Sequence, residues 1–255
     1  MIDLTDVTFI IPIYIDSKSR EDNLKTMMHY LNYHFDTNII IHEQNGNLVP
    51  GILKDFNYQY MSFEMEGDLI HRTKQLNEMI REVKTPIISN YDCDVLFYPE
   101  AYVESAKIIR ENPNNFVSPY SGKFYNVPNE YKTEILNSKS LECAEPIREK
   151  GTLFHPNSLG GSIFFNKNVY IKGGLENENF MSWGYEDDER INRFKTLGYS
   201  FVRVGGNLFH LNHDKLLNST RGQPYYQSNA RELQKVSRMG KGHLEEYIKT
   251  WSWAD

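Results

Sequence analysis

Runs of apolar residues separated by helical stripes pattern the first hundred positions. Val7-Thr8-Phe9-Ile10-Ile11-Pro12-Ile13-Tyr14 is short, β-branched and almost wholly apolar, the pattern of a strand buried on both faces. Asn38 to Glu43 repeats it and closes on Gln44-Asn45-Gly46-Asn47, Tyr60 to Phe63 offers a third strand, and Pro86 to Asp92 a fourth. Between them, Leu24, Met27, Met28 and Leu31 recur at helical spacing, as do Leu69, Leu76, Met79, Ile80 and Val83 behind a candidate N-cap, Asp68. Strand, helix, strand, strand, helix, strand predicts an α/β fold with a right-handed, mainly parallel central sheet flanked by helices. Such sheets bind ligands beyond the carboxyl ends of their strands. Glu43, Asp92 and Asp94 fall there.

The second half is less regular. Ala101 to Arg110 reads as a helix stopped by Asn112-Pro113, and Phe116 to Val127 as a hairpin or two short strands. Tyr131 to Glu149 is polar, a candidate insert over a site. Gly160-Gly161 opens a strand through Phe165, Gly173-Gly174 marks a turn, Ser200 to Val204 is another strand, and a charged helical tail runs from Gln227. The most informative stretch is Trp183-Gly184-Tyr185-Glu186-Asp187-Asp188-Glu189. Ile191, Phe194 and Leu197 place a helix from about Tyr185 or Glu186 onward. Acids suit a helix N-terminus, but four in a row behind Trp-Gly exceed what a helix start needs.

A chain of 255 residues favours one domain over two. A formal charge of -6 argues against a nucleic-acid binder and implies that a phosphorylated ligand arrives with a cation. Cys93 and Cys143 are too few for a disulfide framework. No basic-apolar leader opens the chain, and no window approaches the ~18 apolar residues of a spanning helix. The reading is cytoplasmic, with at most peripheral membrane association; oligomeric state is not legible.

Three constellations carry candidate chemistry. Asp92-x-Asp94 is either a turn pair capping the next helix or a set of oxygen ligands for Mg²⁺ or Mn²⁺. His210 and His213 are either structural or, with a distant carboxylate, part of a mixed oxygen–nitrogen site for Mn²⁺; His210 is preferred and His213 is the alternative. The cysteines lack the spacing of a zinc site. Arg20, Arg72 and Lys74 precede apolar helices, where they face either solvent or phosphate.

These pieces stand in a known order. Ile10-Ile11-Pro12 with Arg20-Glu21-Asp22-Asn23-Leu24, Ile41-His42-Glu43-Gln44, His71-Arg72-Thr73-Lys74-Gln75-Leu76-Asn77, Asp92-Cys93-Asp94, Gly160-Gly161-Ser162, Gly173-Gly174-Leu175, Trp183-Gly184-Tyr185-Glu186-Asp187 and His210-Leu211-Asn212-His213 follow one another. The set resembles GT-A-fold nucleotide-sugar glycosyltransferases, within them the β-1,4-galactosyltransferase and bacterial capsule/chondroitin-polymerase branch.

The resemblance implies one Rossmann-like domain with a donor half (residues 1–98), an acceptor and catalytic half (99–225) and a helical tail (226–255). It implies that Pro12, Tyr14, Arg20, Glu43, Arg72, Lys74, Asp92 and Cys93 contact a UDP-sugar, and that Asp94, Asp92 and His210 hold Mn²⁺ or Mg²⁺. Trp183, Gly184, Tyr185, Gly161 and Asp188 become acceptor contacts, with Glu186 and Asp187 as the acceptor-binding and catalytic acids. Tyr185 replaces the usual glycine and narrows the acceptor space. The reaction implied moves a hexose or N-acetylhexosamine to a saccharide or glycoconjugate hydroxyl with inversion, in polysaccharide or glycoconjugate synthesis. Asp187 acts as base, and Trp183 closes over the donor on the Gly184 hinge. A related retaining branch carries Asn at the Asp187 position. A nucleotidyltransferase would show a Gly-rich loop after the first strand, and Ile13 to Ser17 has no glycine. A non-catalytic sugar-binding protein would have lost Asp92, Asp94 or Asp187.

Overall fold

The computed structural model describes residues 1–149, 153–214 and 216–254. Lys150, Gly151, Thr152, Lys215 and Asp255, which fall in the expected acceptor half and tail, lie outside the described residues. The N-terminal half alternates β1 (Ile2–Ile13), α1 (Lys18–His34), β2 (Phe35–Gln44), a single turn α2 (Val49–Ile52), β3 (Gln59–Phe63), α3 (Arg72–Glu82) and β4 (Ile87–Tyr91). Then come β5 (Val95–Leu96), α4 (Pro99–Glu111), β6 (Asn115–Ser118), β7 (Lys123–Val127), α5 (Asn129–Ser138), α6 (Glu145–Glu149), β8 (Leu153–His155) and β9 (Ser162–Asn166). The chain closes with α7 (Lys167–Lys172), α8 (Glu186–Leu197), β10 (Ser200–Arg203), β11 (Asn207–Leu211), α9 (Tyr226–Ser237) and α10 (Lys241–Ile248).

The central sheet has the order β10-β6-β9-β4-β1-β2-β3, a mixed and mainly parallel arrangement. β9 runs antiparallel to both β4 and β6. Its start therefore lies at the edge where β1, β2 and β4 finish, and Ser162 faces Tyr91. A second sheet, β5-β11-β7-β8, sets β11 antiparallel to β5 with His210 opposite Val95. The same edge thus collects the loops after β1 and β4, the Gly160-Gly161 entry to β9 and the end of β11.

Two apolar layers follow from strand alternation. Phe9, Ile11, Ile87 and Phe164 pack with Leu24, Met27, Met28 and Leu31 of α1 on one face. Ile10, Ile88, Ile163 and Phe165 pack with Leu76, Met79 and Ile80 of α3 and Ile191 and Phe194 of α8 on the other. Each such side chain contributes about 1.5–3 kcal/mol by leaving water.

Two expectations are corrected, and one is decided between its alternatives. Residues 116–127 are the two short strands and not the hairpin, because β6 pairs with β9 and β10 while β7 pairs with β11 and β8 in another sheet. Residues 131–149 do not form a polar insert: most of them lie in α5, a short 3-10 turn and α6, and they bury Ile135, Leu141, Ala144 and Ile147 in the core. Asp68 is not a cap, since α3 begins at Arg72 with His71 at the cap position. The Gln44 side chain takes the Leu69 carbonyl and the His71 N–H, so the preceding loop is pinned open. No helix among the described residues is long and apolar enough to cross a membrane.

Candidate active site

Asp94, His210 and His213 present ligand atoms within 4.8 Å of one another. The loop after β4 supplies Asp94, β11 supplies His210, and the segment after β11 supplies His213. The Leu211 N–H donates to the Asp94 carbonyl at 2.7 Å, tying strand to loop. His210 Nδ1 meets Asn126 Oδ1 at 2.8 Å and His213 Nδ1 meets the Asp214 carbonyl at 2.8 Å. Both partners are acceptors, so both Nδ1 atoms donate and both Nε2 atoms turn to Asp94, at 3.8 Å and 3.3 Å. The two histidines and the nearby Arg20 hold the Asp94 carboxyl well below the usual range although burial opposes them. Burial pushes His210 down to about 4. His213 is raised by its contact with Asp94 despite burial.

Arg72, the first residue of α3, is the hub of a second cluster. Its guanidinium bonds Asp92 and lies 3.7 Å from Glu186 and 3.8 Å from Asp187. Desolvation pushes Asp92 up to about 6, with Arg72 opposing and Asp94 adding to the rise. Glu186 accepts the Gly184 N–H at 2.8 Å and is pushed up to about 7, by burial first and by Asp187 second. Asp187 behaves oppositely. Against burial, Arg190 at 2.6 Å and Arg72 hold it below the ordinary value. Adjacent acids on one helix start are therefore tuned apart, the arrangement in which one carboxyl holds a proton and the other can take one.

The other expected residues divide. Arg20 joins the first cluster, its Nε on Asp16 at 3.0 Å and its Nη1 on Asp94 at 3.5 Å, and lies beside the buried Cys93 thiol, which burial pushes up to about 12. Pro12 is buried in β1 opposite His42, and the Tyr14 hydroxyl lies against Asp68. Glu43 is spent on the Leu48 and Val49 N–H groups and the Tyr60 hydroxyl. Lys74 turns to Glu78 and the Phe63 ring. Gly161 has φ +91, and a Cβ there would lie 2.4 Å from Leu208. Trp183 is 42% exposed, its ring parallel to Tyr226 of α9 at 6.1 Å, and Tyr185 sits 5.0 Å from the same ring. Gly184 adopts φ +116 under Tyr226, and Asn229 takes its carbonyl. Asp188 lies beside Asp187, with His155 nearby.

Residues 149–214, which carry Asp187, His210 and His213, match the family described as the N-terminal domain of galactosyltransferase. A comparison with curated proteins finds no match. Among solved structures, the chain is similar to the mannosyltransferase PcManGT from Pyrobaculum calidifontis in complex with GDP-Man and Mn²⁺. The TM-score is 0.57 at 15% identity, over 98% of this chain and 71% of that one. The fold is GT-A.

Within this GT-A crevice, three contributors, Asn126, Arg190 and Tyr226, escaped the sequence reading, while a fourth, Gly160, was legible only as half of a Gly pair open to close approach. Asn126 orients His210, Arg190 grips Asp187, and Tyr226 backs Trp183. At Gly160, a Cβ would stand 2.5 Å from Asp187 Oδ2. Only Gly160 left a local signal, its pairing with Gly161 ahead of a strand. The others act across 84, 3 and 43 positions respectively, and of these only the Arg190 spacing was open to reading on a helix face.

Proposed function

We propose that the protein is a metal-dependent inverting glycosyltransferase that moves a hexose or N-acetylhexosamine from a UDP-sugar to a saccharide hydroxyl. The observation that carries the reading is the meeting, at one sheet edge, of a carboxylate–bis-imidazole set with a second pair of acids tuned apart. Asp94, His210 and His213 fit a divalent cation, because both Nε2 atoms converge on one carboxylate while oriented Nδ1–H groups fix the rings. One oxygen and two nitrogens suit Mn²⁺ better than Mg²⁺, which prefers oxygen. Bound there, the ion supplies Lewis-acid neutralisation of the departing diphosphate.

The chain's own residues do the rest. Arg20 and Arg72 offer guanidinium groups to phosphate oxygens. Asp187 accepts the proton of the acceptor hydroxyl as its oxygen attacks the anomeric carbon. The anomeric C–O bond breaks, and its electron pair leaves with the diphosphate. Glu186, near neutrality, hydrogen-bonds the acceptor, and Trp183 with Tyr185 stacks a sugar ring. The galactosyltransferase match supports the branch, and the Mn²⁺ complex of the similar mannosyltransferase supports the metal. The test is calorimetric titration of UDP, GDP and CDP, with and without Mn²⁺, into wild type and Asp94→Ala. Manganese-dependent UDP binding, lost in the variant, is expected. Preference for GDP would correct the base, and binding of no nucleotide would refute the donor site.

A further inference from the structure

Asp187 is held by more than its own helix. Arg190, one turn on, places Nη1 2.6 Å from Asp187 Oδ1, while its Nε and Nη2 grip both oxygens of Glu176 at 2.6 and 2.9 Å. Both ends of that grip are 1% exposed. Glu176 is itself fixed: Tyr170 donates its hydroxyl to it, and the Asn77 side chain brackets its backbone at 2.7 and 3.0 Å. Tyr170 stacks on Phe165 with centroids 4.2 Å apart. Asn77 belongs to α3, the helix whose first residue, Arg72, reaches Asp187 from the other side.

A forked guanidinium spans two carboxylates only in one orientation, which a lysine cannot imitate. An ion pair this deeply buried is costly to assemble and is weak support for stability. It has a use if it sets the angle of Asp187.

We propose that Tyr170, Glu176 and Arg190 form a buried positioning relay that aims the Asp187 carboxylate at the acceptor hydroxyl, without touching either substrate. The relay rests on the glycosyltransferase reading and deepens it. Steady-state UDP release tests it, using UDP-galactose, UDP-N-acetylgalactosamine and UDP-glucose with Mn²⁺ and a panel of monosaccharide acceptors. The proteins are wild type, Asp187→Asn, Glu176→Gln and the paired Arg190→Met/Glu176→Met variant, whose apolar side chains keep the volume filled. Calorimetric Mn²⁺–UDP binding and melting temperature are measured on each.

Both relay variants are expected to bind Mn²⁺–UDP and to keep donor KM within about threefold, because no ground-state contact is removed. Their kcat falls at least about tenfold, since a base displaced by an ångström costs up to ~10²-fold. A folded paired variant with kcat within about twofold of wild type, beside an inactive Asp187→Asn, overturns the relay alone. If the paired variant does not fold, Glu176→Gln decides by the same thresholds. A wild type that binds no Mn²⁺–UDP, or turns over independently of Asp187, overturns the glycosyltransferase reading and the relay with it.

Discussion

Glu186→Gln should stabilise the ligand-free protein while harming its activity. The carboxyl is 5% exposed, and its folded-state value is raised from an ordinary 4.5 to about 7. A group raised in this sense favours folding below its unfolded value, and that contribution is lost as pH rises through about 7. At pH 8 the fold holds an ionised Glu186 at a cost of about 3 kcal/mol relative to the unfolded chain, and at pH 5 at under ~1 kcal/mol. Glutamine keeps the acceptor for the Gly184 N–H and removes the titration. The variant should therefore exceed wild type by about 2–3 kcal/mol at pH 8 and by under ~1 kcal/mol at pH 5. Urea unfolding at both pH values measures this, and the difference between the two proteins cancels the titrating groups that do not interact with Glu186. Parallel pH dependences, or a variant less stable at pH 8, would refute burial as the cause of the Glu186 shift. UDP release should fall in the same variant, the trade expected where a strained group serves a ligand.

Removing a metal ligand by Asp94→Ala or His213→Ala should abolish Mn²⁺ binding by calorimetry, and Asn126→Ala should weaken it by about 10–100-fold through loss of His210 orientation. Gly160→Ala places a Cβ 2.5 Å from Asp187 Oδ2, so kcat should collapse while the melting temperature changes little; unchanged turnover would place the acceptor elsewhere. Glu43→Gln weakens a carboxylate that accepts two N–H groups and a hydroxyl. Urea unfolding should show a loss of about 1–3 kcal/mol, with UDP affinity within about threefold of wild type because the side chain is already spent.

Local pattern and tertiary pairing divide what the sequence could disclose. β1, β2 and β4 were legible because a parallel strand buried on both faces leaves a contiguous apolar run. Asp92, Asp94 and the Glu186-Asp187 pair could be picked out as candidates because they sit at element ends. The partition of residues 116–127 was not. Ser118 to Gly122 carries every mark of a hairpin turn, yet β7 pairs with β11, more than eighty positions downstream. The choice between His210 and His213 was equally closed, since it depends on Asn126 and on the Asp214 carbonyl. Gln44 pins the backbone between Asp68 and α3 by bonding the Leu69 carbonyl and the His71 N–H, which no propensity scale records.

On the glycosyltransferase reading, charge explains why donor and metal would enter this crevice together. Among the described residues, Asp16, Asp92, Asp94, Glu186 and Asp187 face it, while Arg190 is half spent on Glu176 and the guanidinium groups of Arg20 and Arg72 stand beside these acids. A UDP-sugar carries two negative charges on its diphosphate, and the two guanidinium groups that would offset them are already shared among acids. Coulomb repulsion at these separations is worth several kcal/mol at an effective dielectric of about 20. A divalent cation held by Asp94, His210 and His213 would reverse that balance at its strongest point, and would then be a condition of donor entry as well as of the chemistry. On the same reading Arg72 would have a second function. Phosphate oxygens would compete with Asp92 and Asp187 for its donors, so a bound donor would loosen one of the two arginines that hold Asp187 down. Asp187 would then be more basic with a donor in place, coupling proton abstraction to a loaded site.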